Sequence, residues 1–204
     1  MAETNPLTDK DITHFINKFG KAGARPSLYV VDIAKPEGVD GVEIATGADS
    51  PISYLCKNAQ LPGSTIGEIP VSFLGRVVKL PGQRTYENLT LSFYNDEDFK
   101  IRHNMEKWMH QIQSFKKPFG NVVGIANSQG QSDGHSTTTI TVKQLGKDGS
   151  TLRTYEFHYA FPTTVSAIDL GYDQAEAIEE FSVTFAYSYF EIPSKDAGSG
   201  IVDK

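Results

Sequence analysis

Five histidines are the side chains best suited to bind a metal or to move a proton near neutral pH. They are His14, His103, His110, His135 and His158. None of them occurs at the spacing typical of metal ligands. His103 and His110 lie seven residues apart in a segment that favours a helix, where they fit the outward face. We therefore expect surface or packing roles for the histidines and no metal site.

Four consecutive residues could suggest a calcium site: Asn95, Asp96, Glu97 and Asp98. The spacing of an EF-hand loop and its central glycine are missing. Acidic residues at the start of a helix are stabilised by the helix dipole. Asn95 and Asp98 have the three-residue spacing of a capping box. Helix capping therefore explains this cluster better than calcium binding.

Residue patterns for covalent or phosphate chemistry are missing. The glycines at 63, 67, 75 and 82 are not followed by Gly-Lys-Ser/Thr and lie outside any strand–helix–strand pattern. No serine stands in a Gly-x-Ser-x-Gly elbow. Cys56 falls in a predicted strand rather than at a helix start, and as the single cysteine it excludes an internal disulfide and a multi-cysteine zinc site. We expect no catalytic residues, no cofactor and no metal.

Charge and hydropathy exclude further classes. The formal net charge of −6 gives no general attraction to phosphates, so tight nucleic-acid binding is not expected. The opening sequence MAETNPLTDKD has no basic segment followed by an apolar run, and no apolar stretch is long enough to cross a bilayer. We therefore expect neither an export signal nor a membrane anchor.

The first third of the chain begins with a helical pattern and changes to strands. Residues 8–19 are predicted as a short amphipathic helix, with Thr8 as its cap and an apolar face of Ile12, Phe15, Ile16 and Phe19. A period of two then places Tyr29, Val31 and Ile33 on one face of a strand. Residues 35–50 favour a loop or ragged hairpin because they are rich in Gly, Pro and Asp. A second strand is predicted from Ile52 to Leu61.

Residues 62–93 predict strands separated by Pro-Gly turns at Pro62-Gly63 and Pro81-Gly82. Alternation is carried by Ile69, Val71, Phe73 and Val77, and then by Leu89, Leu91 and Phe93. Pro70 lacks a ladder donor and Gly75 loosens a strand, so this segment belongs at a sheet edge or in a bent hairpin. Such an edge can pair with another chain. We expect inter-subunit contacts at Ile69, Val71, Phe73, Arg76 and Arg84.

A stronger helix is predicted at roughly 97–113. Its apolar residues recur at helical spacing and predict a face packed on a sheet: Ile101, Met105, Trp108, Met109 and Ile112. The four from Ile101 to Met109 are expected in the core, since nothing beside them offers a ligand for a cofactor.

The remainder of the chain predicts mostly strands. Residues 115–137 lose periodicity and predict a long exposed loop. Strands are expected at 138–145 and 152–161, joined by a turn at 146–149, and at 165–170 after Pro162, with Tyr155, Phe157, Tyr159 and Phe161 alternating with polar residues. Phe181, Val183, Phe185, Tyr187 and Tyr189 form the clearest alternating strand, and the first three are expected in the core.

These elements predict a mainly β, α+β domain of two packed antiparallel β-sheets, a sandwich or barrel, with a flanking α-helix. The domain is expected to span residues 1–192, with loop insertions near 35–50 and 115–137 and a flexible tail at 193–204.

Three segments carry a family resemblance. They follow one another in order: residues 24–33, ARPSLYVVDI; residues 56–108, which begin with CKNAQLPGSTIGEIPVSFLGRVVKLPGQRTYENLTLSFYNDEDF and end at Trp108; and residues 179–192, EEFSVTFAYSYFEI. This combination resembles the tail tube proteins of contractile-tailed, T-even-type bacteriophages, which are related to the tube proteins of type VI secretion. The loops at 35–50 and 115–137 and the tail after Ile192 depart from that pattern.

The resemblance implies a structural subunit rather than an enzyme. It implies six-membered rings that stack head to tail into a hollow tube inside a contractile sheath, with the sheath, baseplate and tail terminator proteins as partners. DNA would pass through the lumen without specific binding. The subunit would be assembled in the host cytoplasm and end in the virion tail.

Alternative functions come from two classes. One is a tube protein of a type VI secretion or other contractile injection system, or a baseplate protein that starts the tube. The other is a β-barrel that binds a small ligand or catalyses hydrolysis, which would require convergent polar residues around an apolar cavity. The sequence supplies no such set.

Overall fold

The computed structural model describes residues 12–19, 23–36, 39, 41–44, 47, 50–113, 137–172 and 178–193. Within these ranges the helices are α1 (Ile12–Phe19), α2 (Pro51–Leu55) and α3 (Lys100–Ile112). The strands are β1 (Tyr29–Ile33), β2 (Cys56–Gln60), β3 (Ser64–Phe73), β4 (Arg76–Tyr86), β5 (Leu89–Tyr94), β6 (Thr138–Leu145), β7 (Thr151–Val165), β8 (Glu180–Ala186) and β9 (Tyr189–Glu191). No described helix has the length and apolar character needed to cross a bilayer.

The strands form one large antiparallel sheet and a separate hairpin. The large sheet has the order β1-β6-β7-β8-β5-β2, with β9 also paired to β7, while β3 and β4 pair with each other. The phenol of Tyr29 in β1 donates a hydrogen bond to the carbonyl of Cys56 in β2 at 3.0 Å. The two ends of the strand order therefore meet, so the sheet curls around one core. The prediction of a mainly β, antiparallel fold is confirmed.

Strand β7 joins the two halves of the large sheet and corrects the sequence prediction. Strands were expected at 152–161 and 165–170, but β7 runs continuously from Thr151 to Val165. Its first part pairs with β6, and its last part, which includes Pro162, pairs with β8. Proline is tolerated because the register shifts there, so that no ladder donor is needed.

A second irregularity in β7 changes which aromatic residues are buried. Tyr159 has a positive φ of 56°, and the pairing with β6 shifts at the same place. Phe157 and Ala160 are buried as a result, whereas Tyr159 and Phe161 are exposed. The expected alternation of four aromatic residues is therefore wrong beyond Phe157, because the bulge inverts the faces.

The core contains side chains from both halves of the sheet and from α3. Its largest fully buried members are Trp108, Phe93, Phe157, Phe185, Ile33, Leu89, Leu91, Met105 and Ile140. Ile101, Phe181 and Val183 are also buried, and Met109 is half-buried. The Trp108 ring lies 6.2 Å from the ring of Phe185. Helix α3 thereby packs its buried face against the sheet.

The start of α3 differs from the predicted capping box. The helix begins at Lys100, whose backbone N–H donates to Oδ1 of Asp96 at 3.1 Å. The Asn95 amide instead donates to Glu179 Oε2 at 2.9 Å, and Asp98 pairs with the Lys100 ammonium. Asn95 thus attaches the end of β5 to the segment before β8. The N-cap residue is Phe99, which makes no side-chain cap bond, and Asp96 satisfies the first helical N–H from outside the helix.

The predicted strand at 52–61 is also corrected in its first half. Residues Pro51–Leu55 form the short helix α2, and the strand begins at Cys56. Ser50 accepts a hydrogen bond from the Ile52 N–H through Oγ at 3.3 Å, and Pro51 occupies the first turn. A serine cap followed by proline favours a helical start, and it places the buried Ile52 against the core.

Part of the predicted 35–50 loop packs on the domain. Val39, Val42 and Ile44 are buried. Asn104 of α3 donates to the carbonyl of Glu43 at 2.9 Å, and Lys107 donates to the carbonyl of Gly41 at 2.7 Å. The loop predicted at 115–137 and the tail from 193 lie outside the described residues except for Thr137 and Pro193.

Candidate assembly interface

The β3–β4 hairpin turns at two residues that the sequence placed inside a strand. Leu74 and Gly75 have positive φ angles of 47° and 78°, and Phe73 pairs with Arg76 on either side of them. Positive φ at both central residues is the mark of a type I′ turn, whose twist matches that of the strands. The turn expected at Pro81-Gly82 is wrong, because both residues lie within β4. Pro62 and Gly63 lie outside strands, in the link from β2 to β3, but are not assigned to a turn.

Gly82 serves a bulge rather than a turn. The register between β3 and β4 shifts between Ile66 and Glu68, opposite this part of β4. A Cβ atom at position 82 would lie 3.0 Å from the carbonyl oxygen of Gly67 and 3.2 Å from Cγ1 of Ile69. The two strands therefore approach closely at this point, so a side chain at position 82 would force the backbone of Gly67 to move by a few tenths of an ångström.

The hairpin is solvent-exposed over almost its whole length. Every residue of β3 is exposed, and so is every residue of β4 except Gly82 and Tyr86. The exposed fraction is 67% for Phe73 and 52% for Ile69. An isolated two-stranded hairpin is only marginally stable in water. Large exposed apolar patches mark sites of association, so this hairpin is suited to packing against another molecule.

The register gives the hairpin two unlike faces, since residues directly opposite each other share a face. One face is apolar except for Arg76 and comprises Ile69 with Leu80, Val71 with Val78 and Phe73 with Arg76. The other comprises Glu68 with Pro81, Pro70 with Lys79 and Ser72 with Val77, and Lys79 forms a 2.6 Å ion pair with Glu68. We call the first set the apolar hairpin face.

Four of the five residues predicted for inter-subunit contact lie together. Ile69, Val71, Phe73 and Arg76 belong to the apolar hairpin face. Arg84 lies further towards the base, where Nη2 donates to Oγ of Ser64 at 2.9 Å. Sequence reasoning missed Val78 and Leu80, because the assumed turn at Pro81-Gly82 obscured the pairing that brings them opposite β3.

Helix α1 presents a second exposed apolar surface. Ile12, Phe15 and Ile16 are 70%, 62% and 60% exposed. These three residues of the predicted apolar face are exposed rather than part of the described core. Sequence periodicity identifies an apolar face without telling whether the covering surface belongs to the same molecule.

The side chains that could bind a metal or take part in catalysis are dispersed over the structure or buried in it. His103 and His110 are exposed on α3, and Nε2 of His158 lies 3.8 Å from Oε2 of Glu191. The side chain of His14 and the whole of His135 lie outside the described part of the chain. Among the described residues, no three His, Cys, Asp or Glu side chains are grouped to hold a metal ion. Burial raises the pKa of the Cys56 thiol to about 12, so it stays protonated at neutral pH.

Comparisons with known proteins agree with a structural role. Residues 24–193 match the family described as phage tail tube protein. The chain is 27% identical over 169 residues to tail tube protein gp19 of Enterobacteria phage T4, which covers 82% of this chain and 91% of that protein. The corresponding protein of phage T6 shows the same identity and coverage.

Solved structures share the fold. A chain of the anti-feeding prophage tube-terminating cap has a TM-score of 0.58 at 17% identity and covers 84% of this chain and 91% of its own length. A chain of the anti-feeding prophage baseplate has a TM-score of 0.57 at 10% identity, with 84% and 95% covered. The family match runs from before β1 to beyond β9, including the exposed hairpin. The chain belongs to the phage tail tube protein family and is a structural component of the tail.

Proposed function

We propose that the chain forms six-membered rings that stack head to tail into a hollow tube inside a contractile sheath. The observation that carries this proposal is the apolar hairpin face, which is exposed in the single chain. Burying apolar surface is the main driving force of association. In the assembled tube this face packs against a neighbouring copy.

Stacking without limit follows from contacts between unlike surfaces. A contact between two different patches of the same chain leaves both patches available at the ends of a stack, so it generates a filament. The apolar hairpin face and the exposed face of α1 differ in shape and in secondary structure, as such contacts require. The length of the tube is then set by other proteins, and we propose the baseplate and tail terminator proteins for that role, with assembly in the host cytoplasm.

Negative-stain electron microscopy of the purified protein at rising concentration tests this assembly. We expect rings with six-fold end views and, above a critical concentration, tubes with a regular axial repeat. The tubes are expected because rings add head to tail. A protein that stays monomeric or stops at closed dimers at all concentrations would contradict the proposal, and rings of another order would contradict its symmetry.

We further propose that DNA passes through the lumen without binding to it. Six copies of a chain with net charge −6 give a ring of −36, which disfavours the dense cationic lining that tight DNA binding needs. The same excess of acidic residues also keeps an outer surface soluble. Whether DNA binds to the lumen therefore depends on where the acidic residues lie on the assembled ring.

Assembled tubes are expected to bind double-stranded DNA more weakly than about 10⁻⁴ M at physiological salt, the weak end of non-specific binding. Fluorescence anisotropy of a labelled duplex against tubes, with unassembled protein at the same concentration as the control, provides the measurement. Micromolar binding to tubes that weakens steeply with salt would overturn the idea of a non-adhesive lumen.

A further inference from the structure

The base of the hairpin is attached to the large sheet by an aromatic cluster. The ring of Tyr86, the last residue of β4, lies 5.9 Å from the ring of Tyr187 and 5.6 Å from the ring of Phe190 in an edge-to-face arrangement. The guanidinium of Arg84 lies 5.1 Å from the centre of the Tyr86 ring and 5.7 Å from the centre of the Phe190 ring. We call Arg84, Tyr86, Tyr187 and Phe190 the hairpin clamp.

The clamp continues into the rigid core. Tyr187 packs edge-to-face on the buried Phe157 with ring centres 4.9 Å apart, and Phe190 lies 5.8 Å from the same ring. Phe157 is 1% exposed and pairs with both Ile140 and Phe190 in the large sheet. A chain of ring contacts therefore runs from the hairpin base to the interior, so the direction of the hairpin is tied to the body of the domain.

The backbone is the other described connection between the hairpin and the sheet. Among the described strands, β3 and β4 pair only with each other. Across the neck, the N–H of Glu87 donates to the carbonyl of Gly63 at 3.2 Å, and the N–H of Gly63 donates to Oε2 of Glu87 at 3.2 Å. Gly63 and Glu87 lie in the links to β2 and β5, and these bonds carry the pairing of Gln60 with Thr90 on to that of Ser64 with Tyr86, so the hairpin continues that strand pair. A two-stranded extension is only marginally stable by itself, so side chains at its base decide its angle.

We propose that the hairpin clamp fixes the angle at which the hairpin leaves the domain, so that the apolar hairpin face is presented in the orientation needed for assembly. Arg84 is then a positioning residue that acts through Tyr86 and Phe190 within its own chain. Its planar guanidinium covers both rings and also anchors Ser64 of β3. Pre-organisation of a binding element lowers the entropy lost on association. This inference rests on the proposed function only for its effect on assembly.

The orientation of the hairpin is measured in the unassembled chain by pulsed electron–electron double resonance. Spin labels are attached to cysteines introduced at Ser72 in the hairpin and at Lys147 in the β6–β7 turn, both exposed positions. The native Cys56 is buried with its pKa raised to about 12, so it resists labelling at neutral pH. We expect one narrow distance distribution in the parent and a broad one in Arg84→Ala and Tyr86→Leu.

Two control variants separate clamping from general effects. Tyr86→Phe keeps the ring and is expected to keep the narrow distribution. Arg153→Ala removes a guanidinium that lies 5.3 Å from the Tyr155 ring, which is itself 6.3 Å from the ring of Phe190. It tests a cation one ring removed from the clamp and is expected to leave the distribution narrow. The melting temperature of all four variants should lie within about 2 °C of the parent's, because these side chains contribute little to the stability of the fold. Tyr86→Leu should show the largest change.

Assembly provides the second readout. We expect Arg84→Ala to raise the critical concentration for tube formation about tenfold through the lost pre-organisation, and Tyr86→Phe to leave it unchanged. An unchanged distance distribution in both Arg84→Ala and Tyr86→Leu would overturn the clamp. A parent chain that forms no tubes, yet shows a distribution that broadens in Arg84→Ala, would refute the proposed function and support the clamp.

Discussion

Trp108→Ala is expected to lower the free energy of unfolding by about 3–5 kcal/mol, the range for truncation of a large buried aromatic residue. Trp108 is 0% exposed and lies against Phe185 of β8. The alanine leaves a cavity between α3 and the sheet that the rigid strands cannot fill. Since a domain has only about 5–15 kcal/mol of stability, much of it would be lost. Equilibrium unfolding in urea, followed by circular dichroism, measures the change.

His103→Ala is the matched control for this substitution, because His103 is exposed on the same helix. We expect a change within about 0.5 kcal/mol, as for other surface positions. Trp108→Phe retains most of the ring area and should fall between the two. A Trp108→Ala protein with the parent's unfolding midpoint would contradict the role of α3 as the cover of the core.

The agreement at α3 shows which features sequence periodicity can predict. Ile101, Met105 and Trp108 recur at helical spacing and are all buried, and alternation in β8 likewise coincides with burial of Phe181, Val183 and Phe185. Both patterns arise where an element has one face on the core of its own chain. A period of 3.6 or of two is then imposed by burial alone, so it is visible before the structure is known.

The incorrect predictions arise where a local signal is overridden by pairing. Pro-Gly at 81–82 favours a turn, but cross-strand contact with β3 extends β4 through it and places Gly82 at a bulge. Pro162 favours the end of a strand, but pairing with β8 continues β7 to Val165. Turn signals depend on a few residues, whereas strand pairing is decided by partners far away in the sequence.

The interface is harder to predict than the core for a related reason. The sequence shows that Ile69, Val71 and Phe73 alternate, as they would in any half-buried strand. Only the structure shows that their face is exposed and not covered by the part of the chain that it describes. The placement of Pro70 and Gly75 suggests an edge, and the exposure of the whole hairpin supplies the stronger reason to propose association.

The double substitution Val71→Asp with Phe73→Asp is expected to abolish tube formation and leave the fold of the single chain intact. Both side chains lie on the apolar hairpin face and are exposed before assembly, at 43% and 67%. In the single chain the new carboxylates stay in water. In a tube they would be buried without partners, which costs several kcal/mol for each unpaired charge. The critical concentration should therefore rise by at least about a hundredfold, since 1.4 kcal/mol corresponds to a factor of ten.

Sedimentation and negative-stain microscopy measure assembly, and thermal melting confirms that the variant folds. Val77→Asp is the matched control, since Val77 lies opposite Ser72 on the other hairpin face and is 62% exposed. Val77→Asp and the single variant Val71→Asp introduce the same chemical change on opposite faces of one hairpin. Tubes from Val77→Asp but not from Val71→Asp would locate the contact on the apolar hairpin face. Normal tubes from the folded double variant would exclude that face from the interface and leave α1 as the exposed apolar surface to test.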